Sequence, residues 1–200
     1  MINFFINYTN FINIGVLFFV LLTILAQNYT PKNYRWQEKT LSDLAIQGYQ
    51  NAWIMKLGFI LFGLFITLGF FIKYIQIDNF YSTDFLMVVY GISMFFSGVF
   101  STATKEEKKL FKKTYDIIHS SLAYFSGIIL AFTILFFAIN TNGDIRKIHI
   151  MFLVLSGIIS ILFSLSKTKH LKIEHGMIQR LAVFVGLIWI ILNYNFLILY

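Results

Sequence analysis

Six long apolar segments restrict the fold of this chain more than any other feature of its sequence. A helix of about 20 residues crosses the ~30 Å hydrocarbon core of a bilayer, and each segment reaches or approaches that length. Because lipid offers the backbone no hydrogen-bond partners, such segments must be helical. The sequence therefore predicts an all-α fold, a polytopic membrane helical bundle with six transmembrane helices. The predicted spans are Ile6–Ala26, Trp53–Tyr74, Phe85–Phe100, Ile117–Ile139, Ile148–Ser166 and Met177–Leu197.

The composition agrees with lipid as the main solvent of the chain. Hydrophobic residues make up 58% of the sequence and charged residues 12%, whereas soluble domains contain roughly 25% charged residues. The absence of cysteine excludes disulfides and a cysteine nucleophile. No internal repeat or low-complexity linker interrupts the sequence, so we interpret residues 1–200 as a single six-helix domain.

The distribution of Lys and Arg predicts the orientation in the membrane. Loops 1–2, 3–4 and 5–6, with the adjoining helix ends, hold 13 of these residues, and the opposite face holds 3. The positive-inside rule places the richer face in the cytoplasm. We therefore expect a multi-pass protein of the cytoplasmic (inner) membrane with both termini outside. The first segment has neither a preceding Lys or Arg nor a cleavage pattern after it, so we interpret it as a retained helix.

Polar residues suited to chemistry gather on the positively charged edge. They come from loop 1–2, from the start of span four and from the start of span six. Charged groups near a membrane interior are costly and often functional. The candidates are Ser42, Asp43, Asp116, His119, Gln179 and Arg180.

Three interpretations of this edge stay open on the sequence alone. In a structural one, Arg180 contacts lipid phosphate or pairs with Asp43. In a binding one, Arg180 holds the phosphate or carboxylate of a ligand through its planar fork. In a catalytic one, His119 is a general base oriented by Asp43 or Asp116, and Arg180 stabilises an oxyanion.

Other partners are not indicated by the sequence. No His or Cys spacing is typical of a metal site, and no glycine-rich phosphate loop occurs, so we expect neither a metal nor a cofactor. The net charge of +7 is explained by loops beside membrane spans. We therefore expect membrane lipids, and a possible membrane-protein partner, rather than nucleic acid.

Several short motifs, in a characteristic order, resemble a known family. The order is LSDL in loop 1–2, NAWIMKLGFILFGLFITLG, GISMFFSGVFS, a span opened by His119, and GMIQRLAVFVGLIW. This order is similar to that of the prokaryotic six-helix membrane proteins catalogued as domain of unknown function 998. The loop is also distantly similar to that of the eukaryotic Frag1/DRAM group. The matching positions are Ser42, Asp43, Leu44, Gly98, Phe100, His119, Gly176, Gln179, Arg180, Gly186 and Trp189.

The resemblance implies the six-helix fold but no established activity. It adds Trp189 to the candidate ligand-binding residues Arg180, Gln179, Ser42, Asp43 and His119. Many relatives carry an acidic residue after the Gly-x-Phe of span three, where this chain has Ser101 and Thr102. We expect a binding or accessory protein that recognises a lipid or other amphiphile at one membrane edge. The alternatives are a membrane-embedded lipid hydrolase or transferase and a structural subunit of a membrane complex.

Overall fold

The computed structural model describes residues 7–30, 34–77, 81–102, 113–167 and 174–197. Within these ranges every regular element is helical, and six helices are long and apolar enough to cross a membrane. This confirms the predicted all-α, six-helix fold. A 3₁₀ turn at Ser42–Ala45 precedes the second helix, and a π-helical turn at Asn193–Leu197 follows the sixth. The helices are α1 (Tyr8–Asn28), α2 (Ala52–Ile77), α3 (Ser82–Val99), α4 (Lys113–Asn140), α5 (Gly143–Lys167) and α6 (His175–Leu192).

Local hydrogen bonds define several helix ends. The Asn7 side chain accepts a bond from the Thr9 backbone N–H at 3.2 Å and caps the start of α1. Gly143, the first residue of α5, adopts a positive φ of 59°, which glycine tolerates without a steric penalty. Arg146 then donates to the carbonyls of Ala138 and Ile139, both at 3.1 Å. A cation thus satisfies the free carbonyls at the end of α4.

The chain divides into two compact units. Unit 1 comprises Met1–Pro31 and Ser42–Leu130, and unit 2 comprises Lys32–Leu41 and Ala131–Tyr200. Unit 1 therefore holds α1, α2, α3 and the first part of α4, whereas unit 2 holds the rest of α4 with α5 and α6. The interpretation of the whole chain as one domain stays a prediction.

Close helix packing and aromatic rings form the interior of unit 1. A Cβ atom added to Gly63 of α2 would lie 2.3 Å from the Phe95 nitrogen and 2.4 Å from the Gly91 carbonyl oxygen of α3. Only glycine permits such an approach between helix backbones. The Phe62 ring packs beside those of Phe19 and Tyr90, with centroid distances of 5.1 and 6.0 Å.

A buried ion pair joins the end of α2 to the start of α3. The Lys73 Nζ lies 2.6 Å from Asp84 Oδ1, and the two residues are 4% and 1% exposed. The other carboxylate oxygen accepts a bond from the Tyr81 backbone N–H at 3.2 Å. The third span was predicted to begin at Phe85. Because α3 begins at Ser82, the carboxylate lies inside the helix.

Candidate functional site

Arg180 holds several backbone carbonyls near the start of α6 through its guanidinium group. We call residues 34–41, which lie within the loop between α1 and α2, the strap. Arg180 Nη1 donates to the carbonyls of Trp36 and Lys39, both at 2.7 Å, and Nη2 donates to the Tyr34 hydroxyl at 2.7 Å. Nη1 also lies 3.1 Å from the Gly176 carbonyl of its own helix. The guanidinium fork thus fixes the strap against the start of α6.

Two neighbouring residues of α6, Gly176 and Gln179, allow the strap to lie close to the start of this helix. A Cβ atom at Gly176 would lie 2.3 Å from the Lys39 carbonyl oxygen and 2.7 Å from that of Trp36, so a larger residue would push the strap away. Farther along the strap, Gln179 Oε1 accepts a bond from the Leu41 backbone N–H at 2.6 Å. Gly176, Gln179 and Arg180 therefore act as one motif, with glycine providing space and the two side chains holding backbone.

The positive charge of the Arg180 guanidinium is surrounded by uncharged hydrogen-bond acceptors. The acceptors of the Arg180 guanidinium are three carbonyls and a phenol, all of them uncharged. Its Nε is buried without a hydrogen-bond partner among the described residues. The Trp36 ring lies 5.8 Å from the guanidinium carbon, within the range of a cation–π interaction. The site is therefore a half-buried positive charge held by neutral dipoles.

His119, in unit 1, is held by the end of α3. Its Nδ1 lies 2.7 Å from the Ser97 carbonyl oxygen and 2.9 Å from that of Phe100. Because carbonyls only accept, Nδ1 must carry the proton. The ring is buried and makes a T-shaped contact with the Phe59 ring at a centroid distance of 6.0 Å. In the neutral ring Nε2 keeps its lone pair, and it has no hydrogen-bond partner among the described residues.

The remaining unit 1 candidates lie in two places. Asp116 is buried one turn before His119 on α4, and its carboxylate accepts a bond from the Thr102 hydroxyl at 2.9 Å. The side-chain Nε2 of Gln47 donates to the Ser101 carbonyl, and its backbone N–H donates to the Thr102 carbonyl, both at 2.9 Å. Ser101 and Thr102, which follow the Gly-x-Phe of span three, are thus buried and hydrogen-bonded. Ser42 and Asp43 open the 3₁₀ turn and are half-buried.

The structure groups the candidate residues by unit. Ser42, Asp43, Asp116 and His119 belong to unit 1, whereas Gln179, Arg180 and Trp189 belong to unit 2. Gln179 and Arg180 share the strap as a common partner. A single site that unites both groups, and the catalytic role of His119, stay predictions. Among the described residues, no three acidic, histidine or cysteine side chains form a group that could hold a metal ion.

The sequence did not reveal the strap as the partner of Arg180. Tyr34 and Trp36 supply a hydroxyl and a ring to this network, yet neither was a candidate. In the sequence these two residues are an aromatic pair in a basic loop, a pattern that is also typical of an ordinary membrane interface. Backbone acceptors leave no trace in residue type, so the carbonyl contacts could not be predicted.

Six apolar helices and a polar site at the start of α6 define a multi-pass integral membrane protein. Within that class, the chain belongs to the family described as protein of unknown function (DUF998), whose profile matches residues 13–193. This confirms the family resemblance seen in the short motifs. No curated protein and no solved structure gives a significant match.

Proposed function

We propose that this protein is a membrane accessory protein that binds an anionic amphiphile where the strap meets α6. The observation that carries the proposal is the charge of Arg180. Its acceptors are uncharged, so they orient the guanidinium without neutralising it. A phosphate or carboxylate at this edge would supply the missing negative charge and accept charge-assisted hydrogen bonds.

The outer face of α6 supports an amphiphile rather than a small ion. Met177, Leu181 and Phe184 are spaced four and three residues apart, so they share one helix face, and all three are exposed. This apolar face begins beside Arg180 and runs toward the middle of the span. Trp36, 47% exposed, adds an aromatic ring of the kind that favours the head-group level. A charged head and an acyl chain thus both have a complementary surface.

The orientation of the site is part of the proposal. The excess of Lys and Arg on one face, 13 against 3, favours a cytoplasmic strap in the cytoplasmic membrane, with both termini outside. A topology reporter fused after Tyr200 is expected to give an extracytoplasmic signal. A cytoplasmic signal would contradict the proposed orientation and leave the lipid-binding proposal standing.

Arg180→Gln is expected to reduce retention of phosphatidylglycerol by at least about tenfold, since a hydrogen bond to a charged group contributes about 1.5–3 kcal/mol. The measurement is native mass spectrometry of the purified protein with phosphatidylglycerol and, separately, phosphatidylcholine. The parent protein should prefer the anionic lipid, and the variant should lose that preference.

Arg146→Gln is the matched control for this test. Arg146 also donates to two backbone carbonyls of unit 2, so the variant removes the same kind of structural contact, and it should leave the preference unchanged. Gly176→Ala displaces the strap that orients the guanidinium, so, like Arg180→Gln, it should weaken the preference. Equal retention of both lipids by the parent protein would refute the proposal.

A further inference from the structure

An aromatic cluster lies at the opposite end of unit 2, away from the strap along the helices. The Phe137 ring of α4 lies 5.4 Å from His149 of α5, 5.8 Å from Trp189 of α6 and 6.2 Å from Tyr194 of the π-turn. His149, Trp189 and Tyr194 are almost completely buried. The Phe137 ring therefore contacts the other three rings in one cluster.

The hydrogen bond between His149 and Trp189 fixes the protonation of the imidazole. The Trp189 Nε1–H donates to His149 Nδ1 at 3.2 Å. Indole can only donate, so Nδ1 must be an unprotonated acceptor and the ring must be neutral. The proton is then on Nε2, the reverse of the arrangement in His119. This Nε2–H is buried and has no hydrogen-bond partner among the described residues.

Asn193 adds a complete amide to the same region. It lies four residues after Trp189, so the two side chains share a face of the helix, and it is fully buried. Both its Nδ2 and its Oδ1 lack a hydrogen-bond partner among the described residues. Asn193 is also the first residue of the π-helical turn, a rare geometry that is frequent at functional sites.

We propose that His149 and Asn193 form a binding site for an uncharged hydroxyl group. A hydroxyl oxygen can accept from His149 Nε2–H and the Asn193 amide N–H, and its own proton can be donated to Asn193 Oδ1. The ring and hydrogen-bond partners of His149 are uncharged, so an ion beside the imidazole would lack a counter-charge.

Two sources can supply this hydroxyl: a water molecule or the alcohol of a neutral lipid. His149 lies six residues after the start of α5, roughly 9 Å along the helix at 1.5 Å per residue. If α5 enters the bilayer near its first residue, that depth is close to the glycerol level, where a diacylglycerol carries its free hydroxyl. The same depth is within reach of water.

The direction in which Asn193→Leu changes the midpoint of thermal unfolding tests the proposed site. Asn193→Leu is expected to lower the midpoint of thermal unfolding, because it removes the partners of a bound hydroxyl. If the amide is simply unpaired, the same change removes a buried polar group and should raise the midpoint. Asn195→Leu is the matched control on the same turn, where the side-chain amide N–H donates along its own helix to the Ile191 carbonyl at 2.8 Å. A higher midpoint in Asn193→Leu than in the parent would overturn the proposal.

Added lipid separates the two sources. Dioctanoylglycerol should raise the unfolding midpoint of the parent but not of Asn193→Leu if a lipid alcohol binds, and its acetylated analogue should have no effect. A lowered midpoint in Asn193→Leu without any effect of dioctanoylglycerol assigns the site to water. Nitrogen-15 NMR of the His149 side chain in the parent needs no variant. A shift typical of a hydrogen-bonded Nε2–H supports the site, and that of an unbonded N–H refutes it.

Discussion

Replacing Asp84 by asparagine is expected to lower the free energy of unfolding by about 3–5 kcal/mol, the usual cost of removing one partner from a buried ion pair. The change leaves the Lys73 ammonium without its counter-charge at a position where both residues are buried. Reversible unfolding in mixed detergent micelles, followed by circular dichroism, measures this difference.

The surroundings of Lys73 explain why the asparagine amide would not compensate. The Tyr8 and Tyr81 rings lie 5.7 and 5.6 Å from Nζ, and their faces attract the cation only weakly compared with a carboxylate. The Asp84 carboxylate also accepts the Tyr81 backbone N–H at the start of α3, where a negative charge favours the helix dipole. The substitution therefore weakens both the pair and the helix end.

A second ion pair provides the control for Asp84→Asn. Asp144 and Lys147 are 2.8 Å apart, but their side chains are 89% and 78% exposed. Asp144→Asn is expected to change stability by less than about 1 kcal/mol, as surface pairs contribute little. The double replacement of Lys73 by Met and Asp84 by Leu should recover most of the stability lost in Asp84→Asn, because apolar residues need no counter-charge. Similar losses of unfolding free energy in Asp84→Asn and Asp144→Asn would show that the buried pair does not stabilise the junction of α2 and α3.

The helices could be predicted from the sequence because hydropathy over about 20 residues is a property of the chain itself. The ends were harder to place, since end residues are shared between helix and interface. The third span shows the consequence. Its apolar pattern starts at Phe85, but the helix starts at Ser82, and Asp84 is stabilised there by Lys73 from another helix. A partner distant in sequence decides that boundary.

The candidate site could be located only in part. Arg180 and Gln179 were identifiable because charged and amide groups are rare beside an apolar span. Their partners were not, because the strap contributes mainly backbone carbonyls and one N–H. His149 and Asn193 were missed for a different reason. His149 follows the basic residues Arg146 and Lys147, and Asn193 begins an Asn-Tyr-Asn stretch, so both resembled ordinary polar helix ends. Only the packing of α5 against α6 shows that His149 pairs with Trp189.

Gly63→Ala is expected to destabilise the protein by about 3 kcal/mol, at the upper end of the cost of overpacking. The new methyl group would lie 2.3 Å from the Phe95 nitrogen and 2.4 Å from the Gly91 carbonyl oxygen. Both obstacles are backbone atoms of α3, so no side-chain rotation can relieve the clash and the two helices must separate. The contact is mutual, since a methyl group at Gly91 would lie 2.9 Å from the Gly63 carbonyl oxygen.

Gly127→Ala is the matched control, because a Cβ atom there meets nothing within 4 Å. Alanine is favoured over glycine inside a helix by about 1 kcal/mol, so this variant should be as stable as the parent or more stable. The two identical substitutions are thus expected to have opposite signs in the same unfolding measurement. Equal effects would mean that α2 and α3 do not approach closely at Gly63. A loss confined to Gly63→Ala would show that backbone contact, rather than side-chain packing, sets the distance between these helices.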